Sequence, residues 1–339
     1  MPAVRIRGIL IPGILALLTG AASALAESAP PALSFPVDCD IGRTCALQKY
    51  VDHDAGDGYR DYRCGPLASD RHDGTDIRLN DIRAMERGVA VIAAADGIVV
   101  DTREGMPDVN VKLVGENAVT DRGLGNRVVI HHGDRWLTVY AHLRRDSVAV
   151  KKGDRVRKGQ VLGQIGLSGL SEFPHLHFSV RHGSSVVDPF TGEAPHAGCD
   201  KGAAPLWTPE TLARLAYVPS FIMGSGFATR PMASIALQYG LYDQDVLPRQ
   251  HGRLYFGVFA AGLYAGDSYR FSLRDERGQI LADSAGEVSR LRGVEFFVLP
   301  HETQSPLPAG RYDARFTLTR MQNGQQSTIL EAARSVLLR

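Results

Sequence analysis

The chain has 339 residues, with Lys+Arg 38 against Asp+Glu 37, a formal net charge of +1, and 44% hydrophobic residues. Near-neutrality excludes nucleic acid as the main partner, since phosphate recognition needs a surplus of Lys and Arg, and the apolar content excludes a disordered chain. A chain of this length divides into about two domains of roughly 100–200 residues each.

Residues 1–26 read as a secretory signal peptide. Arg5 and Arg7 form a basic leader, Ile9 to Leu18 an apolar core, and Ala24-Leu25-Ala26 a small-residue cleavage site. Pro12-Gly13 interrupts the apolar run, which falls short of the roughly 20 residues of a membrane span. An uncleaved N-terminal anchor is the competing reading. Removing the signal takes away two Arg and no acidic residue, leaving 36 basic against 37 acidic side chains and a net charge of −1. Every later apolar run is interrupted by Asp, Arg or Gly, so no stable membrane insertion is expected after signal removal. The expected location is outside the cytoplasm: the periplasm, with the medium or the cell wall as alternatives.

Export sets the reading of the cysteines. Cys39, Cys45, Cys64 and Cys199 are an even number in an oxidising compartment, which favours disulfides. Four cysteines allow three pairings. Joining Cys39 to Cys45 would close a short loop and leave Cys64–Cys199 to staple the ends of the segment between them. The alternative is a four-cysteine zinc site, but no pair has the short C-x-x-C spacing such sites favour.

Residues 27–63 form a polar, turn-rich, cysteine-containing lead-in. Its Asp52-His53-Asp54 and Gly56-Asp57-Gly58 lack the further ligands of a calcium loop and read as a solvated loop. Over 64–199, β-branched runs recur at short intervals, from Gly88–Ala95 and Gly97–Val100 through Asn126–Ile130 and Leu137–Tyr140 to Val161–Ile165. They predict an antiparallel all-β core. Glu104–Gly123 is polar and aperiodic, an insertion between strands that overhangs a site. Residues 200–219 read as a linker holding a short helix at Pro209–Leu215, with Thr208 as its N-cap. Over 220–339, period-2 alternation returns at Ser268–Leu273 and Arg311–Leu318, and Asp275-Glu276-Arg277-Gly278 makes a hairpin turn. About seven short strands there point to an immunoglobulin-like β-sandwich. The fold class is all-β throughout.

Two histidine groups carry the chemistry. In His175-Leu176-His177-Phe178 the strand alternation projects both imidazoles from one face while Leu176 and Phe178 face the core. In His72-Asp73-Gly74-Thr75-Asp76 the first and last side chains converge if Gly74 lets the chain turn. Two imidazoles and a carboxylate make a catalytic zinc shell with its fourth position open for water. His142, in Tyr140-Ala141-His142, brings another imidazole to the same pocket. A single H-x-H is a weak signal taken alone. His131, His132 and His182 read as strand-end or turn residues, and His53, His196, His251 and His301 lie in loops or outside this region and read as having no part in the site. In the C-terminal half, Phe256, Tyr264 and Tyr312 read as core aromatics before they read as a binding face.

The order HDGTD, GNRVVIHHGDRWLTVYAHL, VKKGDRVRKGQVLGQIGLSG and HLHFSVRHG…VVDP, spanning about residues 70–190, resembles the lysostaphin-type zinc metallopeptidases, which cut peptide bonds in bacterial peptidoglycan. The resemblance implies the lysostaphin-type antiparallel β fold and one Zn²⁺ per chain, held by His72, Asp76 and His177. It places the two catalytic histidines at His142 and His175. The implied substrates are peptidoglycan cross-links or stem peptides. None of the five residues is replaced, although some members of the family have lost ligands and act as non-catalytic activators of other wall hydrolases. The departure is Glu172-Phe173-Pro174, where the family has a small residue ahead of the Pro, so Phe173 is expected to reshape the groove. The lysine-rich Val150–Gln160 also shares the turn grammar of lipoyl carriers, but those have no use for paired histidines or export. An exported adaptor without catalysis is the second reading. The C-terminal domain, which holds no catalytic cluster, is expected by analogy to bind substrate or a protein partner, or to pack as a scaffold.

Overall fold

The computed structural model of the chain describes residues 29–195, 198–201, 204–249 and 252–339. The signal peptide expected at 1–26 lies outside the described residues, as do His196 and His251. Among the described residues no helix is long and apolar enough to cross a membrane.

The β-branched runs of the first half form β1 (Cys45–Lys49), β2 (Thr75–Leu79), β3 (Ala90–Ile92), β4 (Gly97–Arg103), β5 (Asn126–His131), β6 (Trp136–Leu143), β7 (Arg155–Val156), β8 (Val161–Gln164), β9 (His175–His182) and β10 (Ser185–Val187). The main sheet has the order β1-β2-β9-β6-β5-β4-β7, with β10 paired to β9, while β3 and β8 form a separate ribbon. All of these pairings are antiparallel. Strand β9 is central, and register does the positioning. Asp76 on β2 lies opposite His177 from one side, and Ala141 on β6 lies opposite it from the other, so His142 follows at the strand's next residue. Leu176 and Phe178 point the other way, fully buried in the core with Ile77, Tyr140 and Leu162.

Three segments are more deeply built into the fold than their composition predicts. From the stretch read as a lead-in, Leu33, Phe35, Val37 and Tyr50 enter the same core, and β1 adds an edge strand to the sheet. The stretch read as a solvated loop buries Asp52 and His53. Asp52 accepts backbone hydrogen bonds from Asp54, Arg60 and Arg71, and His53 Nε2 meets Asp188 Oδ2 at 2.7 Å. Short polar sequences hide such burial because the carboxylate satisfies backbone donors, which hydrophobic periodicity does not register. In the stretch read as a linker, the helix Pro209–Leu212 has Thr208 as its N-cap, accepting from Thr211 N. Leu206, Trp207 and Leu215 bury against the first core.

Cys39 pairs with Cys45 and Cys64 with Cys199, so the four thiols do not form a metal site. The second bridge spans a sequence separation of 135 residues. Closing so long a loop in the unfolded chain removes much of its freedom. The double substitution Cys64→Ser/Cys199→Ser is expected to lower stability by about 2–5 kcal/mol in denaturant unfolding, with little effect if the bridge is incidental.

The second half forms β11 (Phe221–Ala228), β12 (Val246–Leu247), β13 (Arg253–Leu263), β14 (Ser268–Asp275), β15 (Ile280–Glu287), β16 (Arg292–Glu302), β17 (Gly310–Gln322) and β18 (Gln325–Leu338). One sheet has the order β11-β13-β16, the other β12-β18-β17-β14-β15. Phe256, Phe271, Tyr312 and Phe316 fill the core between them. The long strands thus divide first-second-fifth against seventh-sixth-third-fourth, a Greek-key sandwich whose fourth strand sits on the opposite sheet from the constant-type immunoglobulin division. The turn between β14 and β15 falls at Asp275–Gly278, where Asp275 Oδ1 accepts from Arg277 N and Gln279 N and Gly278 takes φ 79°.

The sandwich docks on the first module. Gly293 N donates to Tyr59 Oη at 3.4 Å and Arg83 donates to the Gly240 carbonyl, while Tyr217 of the 200–219 stretch donates to Asp61 Oδ2 at 2.7 Å. Ala261 on β13 is fully buried within the first core.

Candidate metal centre

His72, Asp76 and His177 each offer a ligand atom, and the three lie within 4.8 Å of one another. His72 Nδ1 lies 2.7 Å from the Tyr50 carbonyl. A carbonyl only accepts, so the His72 proton sits on Nδ1 and a bare Nε2 faces Asp76 Oδ1 at 3.1 Å. His177 Nδ1 reaches the same carboxylate oxygen at 3.0 Å. A lone pair facing a carboxylate in a buried site is repulsive unless a cation lies between them. Two imidazole nitrogens and one carboxylate oxygen are therefore a donor set that fits a divalent metal such as zinc. His177 Nε2 is buried without a hydrogen-bond partner, 3.1 Å from Asp73 Oδ1 but outside hydrogen-bond geometry. Asp73 is also clasped by Arg181, so it is held in place beside His177.

Charge in the cluster follows from burial and convergence. For Asp76, burial favours the neutral acid, but the surrounding His72, His175 and His177 outweigh it and hold the carboxyl well below its ordinary range. For His177, burial disfavours the cation, yet Asp73 and Asp76 prevail and raise it to about 9.

His142 and His175 occupy the same cavity with a different allegiance. His142 Nδ1 donates to the Ser168 carbonyl at 2.7 Å, and His175 Nδ1 donates to the Phe173 carbonyl at 2.8 Å. Each ring thus keeps its proton on Nδ1 and leaves Nε2 bare. The rings lie 4.6 Å apart, and His175 Nε2 is 3.5 Å from Asp76 Oδ1. Burial lowers both: His175 to about 4, and His142, with His175 and His177 adding to the effect, well below its ordinary value. Both are neutral bases near pH 7. His142 has φ 60°, a backbone conformation that non-glycine residues rarely adopt and that marks local strain at a working site.

Gly74 does its work by clearance. Its φ is not in the left-handed region, so no special turn is needed, but an added Cβ would lie 2.7 Å from the His177 ring and 2.8 Å from the Phe178 carbonyl. Gly74→Ala is expected to displace His177 and weaken metal retention by about 10–100-fold in a chelator competition, the scale seen when metal-ligand support is disturbed. Wild-type retention in that variant would remove this role.

The cavity around the cluster, about 570 Å³, is walled by the insertion as the sequence leads one to expect, through Val111, Glu116 and Gly123. The insertion is anchored by Asn110 Nδ2 donating to the Glu172 carbonyl and by Asp108 Oδ1 accepting from Leu167 N. Phe173 packs on His175 with ring centroids 4.5 Å apart, and the Arg78 guanidinium lies 5.0 Å from the Phe173 ring centroid. Sequence reasoning misses Lys49 from β1 and Gln238, Phe259 and Val294 from the sandwich half, all of which line the cavity. No motif signals them, because they arrive by tertiary packing. His132 bonds Thr138 Oγ1 and His182 stacks on Trp136, both away from the cluster.

The Peptidase family M23 model matches residues 70–189. The cell division protein DipM of Caulobacter vibrioides is 33% identical over 118 residues, 35% of this chain and 16% of its own length. The peptidoglycan DD-endopeptidase ShyA of Vibrio cholerae is 36% identical over 109 residues, 32% of this chain and 20% of its own. The murein hydrolase activator NlpD of Escherichia coli is 35% identical over 106 residues, 31% of this chain and 23% of its own. The chain thus spans less than a quarter of the length of these relatives. The histidine and aspartate cluster falls inside the matched segment, so the similarity to peptidase family M23 covers the stretch, residues 70–189, that holds the candidate metal ligands.

Proposed function

We propose that the protein is an exported zinc metallo-endopeptidase that hydrolyses peptide bonds in bacterial peptidoglycan, acting in the periplasm on cross-links or stem peptides. The observation that carries this reading is the convergence of two imidazoles on one oxygen of Asp76, beside two further imidazoles whose bare Nε2 atoms share the cavity. The working unit is the 64–199 peptidase segment with the 27–63 lead-in packed into it. Residues 200–219 connect it to a 220–339 accessory sandwich.

His72 Nε2, Asp76 and His177 Nδ1 would hold one zinc ion. When bound, the metal acts as a Lewis acid on the scissile carbonyl and lowers the pKa of a water to about 7. The remaining work belongs to the chain. His142 and His175 are held as Nδ1–H tautomers by backbone carbonyls, so each presents a proton acceptor at Nε2. The ring that takes the proton of the attacking water becomes an imidazolium, able to return that proton to the leaving amine. The other ring, 4.6 Å away, keeps the water oriented. Burial of both rings makes the imidazolium costly and the return of the proton favourable.

The second reading, a non-catalytic activator, draws on the similarity to NlpD and on a cavity whose walls include the insertion and the sandwich. The two separate in one experiment. Purified peptidoglycan incubated with the mature protein is expected to release soluble peptide fragments in the absence of any other hydrolase. Release only when a wall amidase is added would transfer the function to the activator reading.

A further inference from the structure

Beside the metal cavity lies a second one of about 620 Å³, between the first module and the β15–β16 turn of the sandwich. The two share Gln48, Lys49, Ser69 and Val294, so they are lobes of one groove. Four cationic side chains line the second lobe, Lys49, Arg60, Arg290 and Arg292, against a single carboxylate, Asp54. Arg60 faces that Asp54 at 3.6 Å and Arg292 faces Glu295 at 2.9 Å. Among the described residues, no carboxylate lies within ion-pair distance of Lys49 or Arg290. Lys49 is half-buried, opposite the metal-site Asp76 in the β1–β2 register, and its Nζ has only Ser69 Oγ, at 3.4 Å. A half-buried ammonium without a counter-ion is costly to maintain, and it stays only where an anion comes to it. Pro66, Leu67 and Ala68 give the lobe an apolar side, and the start of β16 is tied to the first module by Gly293 N on Tyr59 Oη.

We propose that this second lobe is a subsite for a free carboxylate of the peptide being cut. Lys49 guides the strand out of the metal cavity and Arg290, contributed by the sandwich, receives its anionic group. The assignment rests on the peptidase reading and adds a substrate class to it: peptides bearing free side-chain or α-carboxylates, as peptidoglycan stem peptides do. It also gives the accessory sandwich a direct part in substrate selection. The chain's net charge of +1 supplies no general attraction for anions, so the selectivity is local.

The test is a binding measurement on the full mature chain with chelator present, so that hydrolysis plays no part. The probes are the tetrapeptide L-Ala-D-Glu-diaminopimelate-D-Ala and its fully amidated counterpart, titrated calorimetrically at low and high salt. The acid form is expected to bind about tenfold more tightly than the amide, the scale of one hydrogen bond to a charged group, with the difference shrinking as salt rises. Arg290→Gln and Lys49→Met should each narrow that difference, and losses from substitution and amidation should not add. Arg290 lies in a surface turn, so its variant tests the subsite even if Lys49→Met disturbs β1. Equal affinity for the two probes, or full discrimination retained in Arg290→Gln, would overturn the proposal. Intact discrimination with no hydrolysis by the zinc-loaded protein would sink the peptidase reading while leaving the subsite standing.

Discussion

His177→Ala is expected to reduce peptide release from peptidoglycan to the rate of a metal-free control, and to leave the purified protein without zinc. The reason is geometric. His177 Nδ1 from β9 and His72 Nε2 from the loop before β2 approach the same oxygen of Asp76, and removing one imidazole leaves a two-ligand site. Without the metal, the pKa of the attacking water returns from about 7 toward 15.7, so the loss should exceed ~10³-fold. Folding should survive, because the His177 side chain faces the cavity while Leu176 and Phe178 hold β9 in the core. Elemental analysis and a fragment-release assay on the same preparation check both halves. Full activity in a zinc-free His177→Ala protein would refute the assignment.

Replacing either His142 or His175 by alanine should separate proton transfer from metal binding. Each ring is anchored at Nδ1 by a carbonyl and aims Nε2 at the cavity, yet neither belongs to the three-residue cluster. The expected outcome is retention of zinc with kcat lowered by about 10²–10⁴-fold, the usual contribution of a positioned general acid–base. The double variant should lose little more than the worse single one, because residues that act as a unit are not additive. A fall in zinc content in either single variant would instead make that histidine a ligand, and a change in KM alone would make it a substrate contact.

Much of this was legible before any coordinates. The H-x-H on an alternating strand implies both that its imidazoles share a face and that Leu176 and Phe178 are core, because strand periodicity fixes both at once. The H-x-x-x-D spacing was readable as residue types, but its glycine was misjudged: Gly74 is needed for clearance against the His177 ring, not for a turn. Clearance depends on a neighbour 103 positions along the chain, which no local pattern encodes. The polar stretch at 52–54 concealed a buried carboxylate for a related reason, since its partners are backbone N–H groups. Within the stretch read as a linker, Leu206, Trp207 and Leu215 are buried, and their short apolar cluster looks like connecting chain until the core it covers is known. Lys49, Arg290 and Val294 carried no signal, because the groove they line forms only when the sandwich docks.

The same dependence on docking sets what the accessory half does. Gln238, Phe259 and Val294 reach the metal cavity from the sandwich, so the groove is a joint product of both modules. At that junction the sandwich residues meet the cavity that holds the buried His142 and His175.

Zinc-dependent hydrolysis of a peptide bond in peptidoglycan can be read out by mass spectrometry of defined cross-linked muropeptides incubated with the mature protein. The expected products are heavier in sum by one water, with a new amine and a new carboxylate at a single peptide bond, and their formation is abolished by chelator and restored by added zinc. Unchanged muropeptide masses from a folded protein that contains one zinc ion per chain would contradict it.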